Sequence, residues 1–205
     1  MNILPVIVSC KKNSDTWKSI IQLNKSAIIF YGDPTMEENY DFDENTRILK
    51  LKCNDFYEGL PEKMIALINA ILEIKIFKDI THIIKIDDYD VIDKIVNMDL
   101  LKLSIDPQKH YMGKRIILES RKNEDRKWHF GKCSKGAHWE NKEYKGKYTT
   151  WADGGKGYLL SIYAMKIINK VYNFTNINDV KKYHIYEDLM IALILNKFNI
   201  KPIQI

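Results

Sequence analysis

The sequence lacks the residues that would tie a fold together covalently or through a structural metal. Its three cysteines, Cys10, Cys53 and Cys133, are odd in number and far apart, and no CxxC pair occurs. That argues against a zinc ribbon or a disulfide framework and for reduced thiols in a cytosol-like compartment. No apolar run approaches the roughly 20 residues of a transmembrane helix. The N-terminal MNILPVIVSCKKN has only a short apolar stretch, with its positive charge after that stretch instead of before it. It reads as a buried strand and not as a signal peptide, and a soluble, cytoplasmic protein is expected. The five histidines show neither HxH nor HxxxH spacing, so each reads as structural. No internal repeat or low-complexity linker divides the 205 residues, and a single domain is expected over 1–205.

What is present is an ordinary globular balance: 45% hydrophobic and 29% charged residues. The net charge of +5 suits a partner that is anionic, either a nucleic acid or a nucleotide-linked small molecule. Lysines are densest from Lys122 to Lys147, which reads first as a solvated basic loop region. The heavy use of Ile, Lys and Asn fits an AT-rich genome.

Apolar runs and helical patterns alternate through the first half. Residues 3–9 form a strand-length cluster of Val and Ile, followed by a helix over 14–23 with Ser14 or Asp15 as its cap. A second strand is expected over 27–31, closed by Gly32-Asp33-Pro34; 36–45 reads as an acidic loop, and 47–53 as a half-exposed third strand. After Gly59-Leu60-Pro61 the apolar positions Met64, Leu67, Ile68, Ile71 and Leu72 keep helical spacing. A fourth strand, 81–86, runs into Asp87-Asp88-Tyr89-Asp90. In the second half a strand is expected over 111–119, a polar aromatic stretch over 121–150, a glycine-rich turn over 153–157, and helices over 158–171 and 186–196. This alternation predicts an α/β fold with a mostly parallel central sheet flanked by helices. Such sheets bind ligands at the carboxyl ends of their strands.

The acids at the end of the fourth strand repel one another and resist desolvation, so a cation is the natural guest. Mg²⁺ or Mn²⁺ fits, being a hard ion that shares its coordination with substrate phosphates. On extended chain Asp88 and Asp90 would project to one side as an Asp-x-Asp pair, with Asp87 turned elsewhere, toward a ribose hydroxyl. The competing reading is a helix over 91–98 capped by Asp90.

Three segments in order carry a resemblance: Leu49–Cys53 through Tyr57–Lys63; Lys85-Ile86-Asp87-Asp88-Tyr89-Asp90-Val91; and Trp151-Ala152-Asp153-Gly154-Gly155-Lys156-Gly157-Tyr158-Leu159-Leu160-Ser161 with Tyr186-Glu187-Asp188-Leu189. From about Arg47 to its end the chain resembles the β-1,3-glycosyltransferase family of the β-1,3-galactosyltransferases, core 1 galactosyltransferases and Fringe. The resemblance implies a GT-A fold, Rossmann-like, with a nucleotide-sugar half over about 1–100 and an acceptor half over about 101–205. It also implies a UDP-sugar donor, a glycan or other hydroxyl acceptor, inversion at the anomeric carbon, and Mn²⁺ (or Mg²⁺) at Asp88 and Asp90. The family's three consecutive acids are here Asp87-Asp88-Tyr89-Asp90, a one-residue shift that leaves the choice of ligand open, and no histidine follows His184 to add a further ligand. Lacking the animal enzymes' anchor, the chain fits a trimmed microbial or viral relative.

By the same resemblance Asp188 stands where the family's base does, with Glu187 as the alternative; both also suit the start of a helix. Gly154, Gly155 and Gly157 suggest a loop that lets a ligand approach the main chain. Asp153 is a candidate for a sugar hydroxyl, Lys156 for a phosphate, Lys63 for the donor, and Ser9 for the uracil end of the first strand. Trp151, with Trp128 and Trp139, offers aromatic faces to a sugar ring, against the commoner fate of core packing. A metal-dependent phosphoryl- or nucleotidyl-transfer enzyme acting on nucleic acid, or a non-catalytic carbohydrate-binding module, would use the same acids differently. A nucleic-acid partner is not expected.

Overall fold

The computed structural model describes residues 2–90, 106, 108–119 and 126–205, the side chain of Asp90 excepted. Within them one sheet dominates. Its strands are β1 (Ile3–Val8), β2 (Ile28–Gly32), β3 (Tyr40–Asp43), β4 (Ile48–Leu51), β5 (His82–Asp87), β6 (Tyr111–Gly113), β9 (Tyr158–Ser161) and β10 (Ile203–Gln204), in the order β10-β6-β9-β5-β1-β2-β4-β3. A separate pair joins β7 (Ile116–Ile117) to β8 (Trp151–Ala152). The helices are α1 (Trp17–Leu23), α2 (Leu60–Glu73), α3 (Ile162–Val171), α4 (Val180–Tyr183) and α5 (Glu187–Asn196). Only β3 and β9 run against the rest, so the sheet is mostly parallel, as the alternation of elements predicts. No helix among the described residues is long and apolar enough to cross a membrane.

Strand β1 is buried along its whole length because both faces are covered. Leu4, Val6 and Val8 join the core against α2, α3 and α5, whereas Ile3 and Ile7 join a second core with Trp17 and Ile20 of α1. That division is the period-2 alternation of extended chain. Pro5 is tolerated in this inner strand for a reason of register. The amides of odd-numbered residues face β2, as the Ser9 N–H bond to the Phe30 carbonyl shows, and pairing with β2 begins only at Val6. The missing amide therefore falls just short of that ladder.

Four expectations change. Residues 36–45 are not all loop: Tyr40–Asp43 pairs antiparallel with β4, its Tyr and Phe turned inward and Asp41 and Asp43 exposed. The helix expected from residue 158 begins only at Ile162. Tyr158–Ser161 is a strand wedged between β5 and β6, and the Ser161 hydroxyl caps α3 by accepting from the Ala164 amide. All four residues of that strand are buried, so no alternation separates it from a helix start. The strand over 111–119 breaks at Lys114-Arg115 into β6 and β7, which belong to different sheets. Helix α1 starts later than expected, with Thr16 as its N-terminal flank and no side-chain cap from Ser14 or Asp15.

Candidate functional site

The carboxyl ends of β1 and β5 open into a cavity of about 890 Å³. Val8 and Ser9 line one side, Asp87 and Asp88 the floor, Asp153, Gly154 and Gly155 the far side, and Glu187 and Asp188 the start of α5. The strand order reverses at β1, which has β2 on one side and β5 on the other, and open α/β sheets leave a crevice at such a point.

Strand β5 ends at Asp87, and Asp88–Asp90 is a turn of 3₁₀ helix. The backbone at Asp88–Asp90 is therefore helical and not extended as expected, so the same-side rule of a strand does not apply to it. The same-side rule of extended chain acts instead on Lys85 and Asp87, whose side chains meet at 2.6 Å. The side chain of Asp90 and the helix expected over 91–98 lie outside the described residues.

Lys85, not among the residues expected at the site, is its hub. It is buried, and its ammonium binds Asp87 Oδ1 (2.6 Å), Glu187 Oε1 (3.0 Å) and the Gly154 carbonyl (3.1 Å). One cation thus ties the end of β5, the glycine turn and the start of α5. Burial alone would lower its pKa, but Glu187 and Asp87 outweigh that and hold it raised. Glu187, named above as the alternative base, has Oε1 on Lys85 and Oε2 accepting from the Tyr158 hydroxyl at 2.7 Å. With both oxygens engaged in a buried network, it is a charge partner and not a free base.

Asp188 differs from its neighbour. It is half-buried on the cavity wall, with Oδ2 accepting from the Gly154 amide (2.9 Å) and Oδ1 from its following amide at Leu189 (2.8 Å). Burial, and then the negative charge of Glu187, push its pKa up to about 7, against the lowering pull of the two amides and Lys85. A carboxyl poised there can exchange a proton near neutral pH.

The glycine turn is tight for packing reasons. A Cβ on Gly154 would lie 2.6 Å from Glu187 Oε1 and 3.2 Å from Asp188 Oδ2, and Gly157 sits at φ +86°, a conformation that favours glycine. Asp153, expected at a sugar hydroxyl, caps this turn by accepting from the Gly155 amide (2.9 Å) and pairs at 3.4 Å with Arg115. Lys156 is exposed and is not part of the cavity wall.

Lys63, expected to face the donor, is buried, and its three hydrogens go to Asp55 Oδ1 (2.7 Å), the Asp55 carbonyl (3.1 Å) and the Ser9 carbonyl (2.9 Å). Asp55 in turn accepts from the amides of Gly32 and Lys11, so this pair locks the ends of β1 and β2 together. Ser9 is also engaged inside the wall: its hydroxyl accepts from Trp17 Nε1 (2.8 Å) and donates to Asp88 Oδ2 (2.6 Å), which also accepts from Asn13 Nδ2 (2.7 Å).

The tryptophans separate. Trp139 is core, its indole donating to the Lys181 carbonyl. Trp151 is buried but borders the cavity, while Trp128 is 64% exposed on the cavity rim with the Lys132 ammonium 3.6 Å from its ring centre. His129 and His184 are packed against aromatic neighbours, consistent with structural roles.

A divalent cation could be held at Asp88, whose two described donors both fall on Oδ2 and leave Oδ1 with lone pairs for a hard ion. Among the described residues no three His, Cys, Asp or Glu side chains gather into an all-protein cage.

No curated protein matches the chain. The family model described as galactosyltransferase matches residues 33–205, from just after β2 through the acidic turn, the glycine turn and α5. With an eight-stranded mixed sheet flanked by helices, a GT-A fold, the chain belongs to the galactosyltransferase family of glycosyltransferases.

Proposed function

We propose that this chain transfers a hexose from a UDP-sugar to an acceptor hydroxyl with inversion, using Mn²⁺ or Mg²⁺ at Asp88 and Asp90. The observation that carries the reading is Asp188: a half-buried carboxyl held by two amides on the wall of a cavity that also presents Asp87 and Asp88, with its pKa pushed up to about 7. In single displacement a base must take the acceptor's proton on the side opposite the leaving group. The two amide bonds fix the orientation of Asp188 and leave each of its oxygens a further lone pair for that proton. When bound, the cation would supply charge neutralisation for the departing diphosphate.

The remaining residues set the stage. Lys85 compensates Glu187, so that Asp188 faces one uncompensated neighbour fewer. The Lys63–Asp55 lock holds the end of β1, beside which the nucleoside would rest. Trp128 and Trp151 border the cavity and offer apolar faces to an acceptor sugar. The donor would occupy the end built from about 1–100 and the acceptor the end built from about 101–205.

Incubation with Mn²⁺ and a panel of nucleotide sugars, with UDP release as readout, tests the reading. UDP should be released slowly by water alone and faster with a sugar acceptor, and NMR of the product should show the inverted anomer. A retained anomeric configuration, or release unchanged in Asp188→Asn, would overturn the assigned chemistry.

A further inference from the structure

Residues ahead of the family match hydrogen-bond to Asp88. Trp17 Nε1, a donor only, reaches the Ser9 hydroxyl at 2.8 Å in a buried contact. The single Ser9 proton must then go elsewhere, and its partner at 2.6 Å is Asp88 Oδ2. Asn13 Nδ2 donates to the same oxygen at 2.7 Å. Two donors fill the lone pairs of Oδ2, and no described donor meets Oδ1. Ser9 is itself fixed: its amide donates to the Phe30 carbonyl and its carbonyl accepts from Lys63.

We infer that Ser9 and Asn13, with Trp17 directing the Ser9 proton, are positioning residues that present Asp88 to the divalent cation through Oδ1 alone. The inference rests on the proposed role of Asp88 as a ligand. All three residues precede 33–205, so the family match assigns them nothing. The 3₁₀ turn of Asp88–Asp90 cannot align its acids by strand geometry, and these side-chain donors supply the orientation instead. Partners that orient a ligand in this way typically change metal affinity about 10–100-fold when removed.

The test counts free Mn²⁺ by electron paramagnetic resonance in the presence of UDP, with folding checked by circular dichroism. Asn13→Ala and Ser9→Ala should each weaken Mn²⁺ binding about 10–100-fold, Ser9→Thr should restore it, and Trp17→Phe should weaken it less than Ser9→Ala. Asn13 is only half-buried in a short turn, so its variant keeps the test decisive if Ser9→Ala fails to fold. Asn13→Ala that binds Mn²⁺ like the parent, while Asp88→Ala loses it, would overturn the inference and leave Asp88 as a ligand. Asp88→Ala that binds Mn²⁺ like the parent would overturn both.

Discussion

Replacing Lys85 with methionine keeps a side chain of similar length and removes the positive charge shared by Asp87 and Glu187. Asp87 and Glu187 both lose their cation, but unequally: the Asp87 side chain keeps 17% of its surface in water and that of Glu187 only 7%. The cost therefore falls on Glu187, left with the Tyr158 hydroxyl alone. Removing one partner of a buried ion pair costs about 3–5 kcal/mol. In a protein of this size each kcal/mol moves the melting temperature by roughly 2–4 °C, so a fall of about 6–20 °C is expected. Because the Lys85 pKa is raised, this stabilisation is fully present below the unfolded value of about 10.4 and is lost only as pH rises through the folded one, so in the parent it is complete at neutral pH. Thermal unfolding by circular dichroism measures the loss. A further arm identifies its source: Lys85→Met/Glu187→Gln should be more stable than Lys85→Met at neutral pH. If Lys85→Met melts within about 3 °C of the parent, the ammonium is not compensating a buried charge and the account of the site's centre fails.

Asp188→Asn should lower turnover about 10²–10⁴-fold, and in the parent the acidic limb of kcat/KM should fall near pH 7, measured by UDP release across pH. The same group sets a stability slope: a carboxyl whose folded pKa lies above its unfolded value stabilises most when protonated, so the parent should lose stability from about pH 4 to pH 7 and Asp188→Asn should flatten that loss in urea titrations. Gly154→Ala forces a methyl against Glu187 and Asp188 and should cost about 1–3 kcal/mol in urea unfolding, with a matching fall in UDP release. Trp128→Ala should raise the KM for a sugar acceptor while leaving donor hydrolysis and melting temperature unchanged; an unaltered KM would remove Trp128 from the acceptor surface.

The inner strands were legible because β-branched residues crowd into strand-length runs, as in Ile3–Val8 and Ile28–Gly32, and because α2 and α5 carry apolar residues over helix-length segments. Strand β3 carried its own signal in Tyr-Asp-Phe-Asp, but two turns of period 2 inside an acidic stretch are also what a loop looks like. The site was legible as a set of segments and not as a geometry. Asp55 and Lys63 are eight residues apart across an irregular turn and a helix start, and only the fold sets their 2.7 Å contact. Lys85 lies two residues before Asp87 on the same side of a strand, a spacing that is legible, but its contact with Glu187, about a hundred residues on, is set only by the fold.

The outer strand β3 has a consequence for self-association. A sheet that ends in open backbone can recruit a second molecule, rung by rung. Here that border is only four residues long and carries the exposed carboxylates of Asp41 and Asp43, so a like border brought alongside would meet charge of its own sign. The opposite border, β10, is two residues long and offers too little backbone to grip. Among the described residues, neither border of the sheet therefore presents a long, uncharged run of open backbone.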